Sequence, residues 1–138
     1  MADELRFADV AEGVRATIAA YAQALDDGRV DDLVDAFCPD GAIDMGEMGT
    51  FEGHDALRAA YAQWVPRRPQ RHVVANTHVT EWSDHEATAV SDVIFLLQGK
   101  QGWAVQLVGR YDDTFHRDGD TWRFHHRKAE FVEPPTTG

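Results

Sequence analysis

Cysteine is almost absent from this sequence. Cys38 stands alone, so no internal disulfide can form and a reducing compartment is expected. It lies in the run Phe37–Gly41 (FCPDG) and reads as a small buried or half-buried filler rather than a nucleophile. No glycine-rich phosphate loop, GxSxG elbow or CxxC pair occurs, so nucleotide-dependent chemistry, serine hydrolysis and thiol redox all lack their usual signatures. No apolar run approaches the ~20 residues of a membrane span. The opening MADELRFADV carries acidic residues where a secretory leader needs positive charge and then an apolar stretch, so a cytoplasmic location is expected. Positive charge is also scarce. Against 24 Asp and Glu there are 13 Lys and Arg, a formal net charge of −11. Phosphate backbones and anionic lipid surfaces repel such a chain, and neither nucleic acid nor membrane is expected as a partner.

Histidine is plentiful, with seven in the chain, so a metal site has to be weighed. HExxH and His-x-His are both missing. His72 and His78 share a strand parity, but six residues of strand separate them by roughly 20 Å. His125 and His126 are adjacent and so face opposite ways. No metal and no bound cofactor are expected.

The length, 138 residues, and the hydrophobic fraction, 43%, fit one domain over residues 1–138 with one filled core. Repeats and low-complexity linkers are lacking. The first half reads as helical. Val10, Val14, Ile18, Tyr21, Ala22 and Leu25 recur at helical spacing and predict an amphipathic helix that stops near Asp27-Gly28. A second short helix is predicted from Asp31 to Phe37, with Leu33, Val34 and Phe37 inward, ended by Pro39-Asp40-Gly41. Residues 42–45 and 50–52 read as a short hairpin around Gly46 to Gly49. A third helix starts after Gly53 and carries Leu57, Ala60, Tyr61 and Trp64, until Pro66 and Pro69 block it.

The second half reads as four strands, 72–82, 86–97, 103–116 and 121–132, joined by short turns in an antiparallel meander. Helices first and strands after predict an α+β fold, a curved sheet with one face covered by helices. The tail 133–138, with two prolines, is expected to be loose.

Few of the polar residues have an obvious structural job. At ~100° per helical residue, Tyr21 falls roughly 60° to one side of Ile18 and Asp26 roughly 80° to the other. Both flank the apolar stripe, so both can look toward the sheet. Asp26 is either solvated at a helix end or drawn into a partly dry pocket, where it needs a partner. In the strand that opens with His72, period two places His72, Val74, Asn76 and His78 on one face. Such a row suits either a solvated surface or a pocket floor with a few placed polar groups. Asp92, Arg110 and Arg127 are charges inside β-like runs. One of them lines a cavity or all three face outward, and Arg127 has the opposite parity to Trp122 and Phe124 unless a bulge intervenes. Trp103, Trp122, Phe95, Phe115 and Phe124 read as core, and aromatic walls also suit an apolar ligand.

Five segments together carry a resemblance. Tyr21–Gly28 (YAQALDDG), Leu33–Ala42 (LVDAFCPDGA), Phe51–Leu57 (FEGHDAL), Arg71–Asn76 (RHVVAN) and Tyr111–Phe124 (YDDTFHRDGDTWRF) resemble, in order and spacing, the SnoaL-like branch of the NTF2-like superfamily. The resemblance covers nearly the whole chain. It implies a cone, in which a strongly curved antiparallel sheet encloses a pocket that about three N-terminal helices close. Within the superfamily the pattern is most similar to the group of scytalone dehydratase, bile acid 7α-dehydratase and lindane dehydrochlorinase, where an Asp–His pair removes a proton as hydroxide or halide leaves.

On that likeness Asp26 matches the family aspartate, His72 the family histidine and Tyr21 an assisting tyrosine, with Asn76, Trp103 and Arg127 as substrate-binding candidates. The implied activity is that of a cofactor-free dehydratase-type lyase acting on a small apolar cyclic molecule such as a steroid or polyketide ring. Two other readings stay open: a non-catalytic binding or assembly subunit, and a ketosteroid-isomerase-like isomerase. The isomerase matches less well, since its aspartate falls at Met45 here, one residue from Asp44. The family also implies a homodimer or homotrimer.

Overall fold

A computed structural model describes residues 5–132. The tail expected to be loose, 133–138, lies outside the described residues. The element order is α1 (Phe7–Asp27), α2 (Val30–Asp35), β1 (Phe37–Asp44), a 3₁₀ turn (Gly46–Met48), β2 (Thr50–Glu52), α3 (His54–Ala62), β3 (Gln70–Trp82), β4 (Glu86–Gly99), β5 (Gly102–Asp118) and β6 (Thr121–Val132). The expected α+β fold forms, with three helices against one curved, open sheet of strand order β2-β1-β6-β5-β4-β3.

Helix α1 has the stripe its periodicity predicts: Val10, Val14, Ile18, Tyr21 and Ala22 are buried. Gly28 ends it in the left-handed region, at φ 73°, which a glycine adopts without a Cβ clash. The Arg29 N–H then turns back onto the Ala24 carbonyl at 2.8 Å. Two contacts fix the helix on the sheet. A Cβ on Gly13 would overlap the Trp122 ring, so only glycine lets α1 come this close to β6. One turn further on, the Thr17 hydroxyl donates to the Trp122 carbonyl.

The short second helix ends earlier than its pattern predicts. It stops at Asp35, and Phe37 opens β1. The Phe124 N–H takes the Ala36 carbonyl at 2.8 Å, which draws the chain out of the helix and beside β6. Pro39-Asp40-Gly41, expected to act as a stop, instead lies inside β1, where the register with β6 is irregular between Phe37 and Ala42. The meander of β3 to β6 is antiparallel as predicted. It is extended by β1, which pairs parallel to β6, a long-range pairing with no local signal. Trp64 falls just beyond α3, yet its ring still packs edge-on against Tyr61 at 5.1 Å.

Four bulges interrupt the meander, one of them between Val79 and Glu81 in β3, and each reverses the side-chain alternation beyond it. In β3 the register shifts between Ala75 and His78, with Asn76 at φ 55°, a left-handed conformation that asparagine tolerates better than most residues. In β5 it shifts opposite Phe95/Leu96, leaving Gln106 over. In β6 it shifts opposite Thr114/Phe115, leaving His125 over.

Candidate active site

Asp26 comes from the last turn of α1, and its side chain is 5% exposed. A carboxylate this dry has to be hydrogen-bonded, and Asp26 accepts three bonds. The backbone N–H of His72 reaches Oδ2 at 2.7 Å. The His72 ring reaches Oδ1 through Nδ1, also at 2.7 Å. Gln70, two residues earlier on the same strand face, donates Nε2–H to Oδ1 at 3.2 Å. With the carboxylate on Nδ1, that nitrogen carries the proton and Nε2 keeps its lone pair. The ring is held from the other side by stacking on Phe95, centroid to centroid 4.5 Å.

His72 borders a cavity of about 480 Å³ whose walls include Leu25, Met45, Trp64, Phe95, Leu107 and Phe131. Three tyrosines, Tyr21, Tyr61 and Tyr111, supply its remaining polar atoms beside Gln70 and His72. Tyr21 projects from α1, 3% exposed, and its hydroxyl pairs directly with that of Tyr61 on α3. Burial pushes the Tyr21 phenol up, against the pull of the nearby Arg127 guanidinium. Burial, then the neighbouring Tyr21, pushes Tyr61 well above the ordinary phenol range. Both therefore stay protonated, and since one hydroxyl donates to the other, the pair keeps one O–H free to donate outward.

Behind the tyrosines lies an enclosed ion pair. Asp113 and Arg127 face each other across β5 and β6, each with a 0% exposed side chain. Arg127 donates Nε to Oδ1 at 2.9 Å and Nη2 to Oδ2 at 3.3 Å. Its guanidinium carbon stands 3.4 Å from the Tyr111 ring centroid and 4.4 Å from that of Tyr21. Nη1 has no hydrogen-bond partner, and the surrounding π faces offset part of that loss. Burial pushes the Asp113 carboxyl up to about 6, with Arg127 pulling the other way, so the pair is ionised at neutral pH.

The sequence candidates therefore separate. His72 and Tyr21 border the cavity, and Asp26 stands behind His72, bonded to its ring. Arg127 does turn inward, because the bulge at His125 reverses its parity, but it is sealed against Asp113 and does not border the cavity. Asn76 is not on the cavity wall. The bulge turns its side chain outward, where Nδ2 donates to Asp92 at 2.9 Å, and the residue borders a separate groove between α1 and β3 that His72 also lines. Trp103 is also outside the cavity. It is 48% exposed because the bulge at Gln106 carries it, with Val105, to the outer face. At the position the isomerase aspartate would take, Met45 borders the cavity, while Asp44 is not on its walls and accepts the Gly46 N–H through Oδ1 at 2.9 Å. Cys38 is buried as expected, and burial raises its thiol.

Gln70, Tyr61 and Asp113 were missed as site residues. Gln70 shares parity with His72, and Asp113 sits midway between the inward Tyr111 and Phe115. Both signals were present in the strand alternation.

Among the described residues no cluster of three or more His, Cys, Asp or Glu is placed to hold a metal, and no helix is long and apolar enough to cross a membrane.

Comparison with known proteins gives the same frame. A family model described as a SnoaL-like domain matches residues 7–128. No curated protein matches. A protein of unknown function from Mycobacterium tuberculosis superposes with a TM-score of 0.83 at 20% identity, covering 90% of this chain and 72% of its own. A candidate scytalone dehydratase from Novosphingobium aromaticivorans gives 0.79 at 20% identity over 89% and 84%. The β subunit of a candidate aromatic-ring-hydroxylating dioxygenase from the same organism gives 0.80 at 18% over 96% and 95%. At these identities the likeness is one of fold. With the family model spanning most of its length, the chain belongs to the SnoaL-like domain family.

Proposed function

We propose that the protein is a cofactor-free lyase of the dehydratase type, acting on an apolar cyclic molecule held in the 480 Å³ cavity. The observation that carries this reading is the Asp26–His72 contact, with His72 on the wall of a largely apolar chamber. His72 Nε2 takes a proton from carbon. The electrons of that C–H bond form a C=C bond, and the C–O bond to the departing hydroxyl breaks. Asp26 fixes the tautomer and stabilises the imidazolium. The Tyr21–Tyr61 hydroxyl pair donates to the leaving oxygen or to a carbonyl that activates the C–H bond. Burial of both hydroxyls strengthens such a contact, because water does not compete for it.

A second reading, a pocket protein without turnover or an assembly subunit, draws on a different observation. The outer sheet face carries an exposed apolar row, Val73, Ile94, Val108 and Val132, in register across four strands. Such a row calls for a partner, and self-association as a dimer or trimer accompanies either reading. Light scattering that returns the 15.4 kDa chain mass at micromolar concentration counts against it.

One experiment separates enzyme from binder. A panel of hydroxylated steroid and polyketide-like ring ketones is tested by thermal shift and by the absorbance of a new conjugated double bond. A ligand at 100 times its dissociation constant adds about 2.7 kcal/mol of stability. Stabilisation together with new absorbance supports the lyase. Stabilisation without turnover across the panel moves the assignment to the binding protein.

A further inference from the structure

The cations of this acidic chain are distributed unevenly. Arg29, Arg58, Arg110, Arg123, Arg127 and Lys128 each pair with a carboxylate. Arg67, Arg68 and Lys100 pair with no described carboxylate, and all three are exposed. They also gather at one place. Residues 65–69 connect Trp64 to Gln70, and both of those border the cavity. The Gln98 N–H ties this segment to the end of β4 through the Pro69 carbonyl at 3.0 Å. Arg68 Nη1 lies 4.0 Å from the Cβ position of Gly99, beside Lys100 in the β4–β5 turn. Arg71 is not part of this group, since it pairs with Leu96 on the outer face. Next to Met48, another residue that borders the cavity, the chain carries Glu47 instead. The segment that joins two cavity-lining residues therefore carries positive charge with no described carboxylate against it.

The chamber itself has no place for an anion. Its polar atoms belong to three tyrosines, Gln70 and His72, and Arg127 is already matched by Asp113. A charged group drawn inside would lose its hydration without a counter-charge. The net charge of −11 repels anions over most of the surface. Arg15, Arg71 and Arg117 also pair with no described carboxylate, but each bonds a backbone carbonyl instead.

We propose that Arg67, Arg68 and Lys100 receive the anionic tail, a carboxylate or a phosphate, of a ligand whose apolar ring body fills the cavity. This rests on the reading of that cavity as the ligand site, and it adds a specificity-determining rim to it.

The test compares pyrene-1-butyrate with 1-pyrenebutanol, which share a body and differ in charge, by fluorescence titration of the whole protein. The butyrate should bind roughly 5–30-fold tighter at ~20 mM salt, and the preference should shrink at ~300 mM. In the Arg67→Gln/Arg68→Gln variant the preference should fall to near one, with butanol affinity unchanged. Arg117→Gln, at the far β5–β6 turn, should keep the full preference. Equal binding of the two probes by the wild type overturns the rim and leaves the cavity standing, as does a preference that survives the double variant. Binding of neither probe overturns the cavity as a ligand site, and the rim with it. 1-Pyrenebutyl phosphate then assigns the head group: tighter binding than the butyrate marks a phosphate tail, and binding no tighter marks a carboxylate.

Discussion

Asp26 and Asp113 are both carboxylates taken into the interior, and each has a nitrogen base beside it. Asp113 and Arg127 are wholly enclosed, at 0% exposure on both sides, behind Tyr21 and Tyr111. Asp26 is nearly as dry at 5%, but its partner His72 keeps 14% exposure and borders the cavity. The partners differ in chemistry too. Arginine stays charged at all working pH values and cannot exchange a proton usefully, whereas an imidazole held through Nδ1 leaves Nε2 ready to accept one. One pair can only organise its surroundings, while the other can act on something brought to it. A buried charge pair is thus a site only where one member reaches space that a ligand can enter.

The largest expected effect is on turnover. With a substrate in hand, His72→Ala should slow the reaction roughly 10²–10⁴-fold. Asp26→Asn, which can present an N–H to the ring and favour the wrong tautomer, should do comparable damage. The losses should not add in the double variant, because the two residues act as one unit. Steady-state kinetics on folded protein is the check, and full activity in both single variants would sink the mechanism.

For the enclosed pair the effect should move from rate to stability. Arg127→Met leaves Asp113 buried without a counter-charge and should cost about 3–5 kcal/mol. Adding Asp113→Leu should recover most of that loss. Urea unfolding measures both, and a single variant as stable as the wild type would erase the contrast between the pairs.

The same pair should leave a mark on the pH profile. The folded Asp113 carboxyl, at about 6, lies above the ~3.9 of an unfolded aspartate. The folded protein therefore binds this proton more tightly. The contribution is complete below about pH 4 and is lost as pH rises through about 6. Unfolding free energies of wild type and Asp113→Asn, compared from pH 4 to 7, should show the wild type losing ground only inside that window.

The smallest effect should belong to Tyr21→Phe. It removes one hydroxyl donor and leaves the ring over Arg127, so turnover should fall ~10–10³-fold with little change in stability. Tyr61→Phe should behave alike, because the two hydroxyls share one contact. A large stability loss in either variant would assign the pair to the core rather than to the site.

Local pattern determined a good part of this molecule. The apolar stripe of α1, the stop at Gly28, the four long strands and their turns all follow from periodicity and turn chemistry acting over a few residues. Asp26 and Tyr21 at the margins of that stripe, and His72 at a strand start, were legible for the same reason. What the tertiary structure alone decided lies at the bulges and the long-range pairings. The bulge at Asn76 turned that side chain out, the one at Gln106 put Trp103 on the outer face, and the one at His125 brought Arg127 in against Asp113. A bulge costs one unpaired residue and is chosen by how two whole strands fit across a curved sheet, so no run of neighbours announces it. The parallel pairing of β1 with β6 and the meeting of Tyr21 with Tyr61 have the same origin. Their stabilising contacts form between residues about 40 to 90 positions apart, and only the folded chain brings those together.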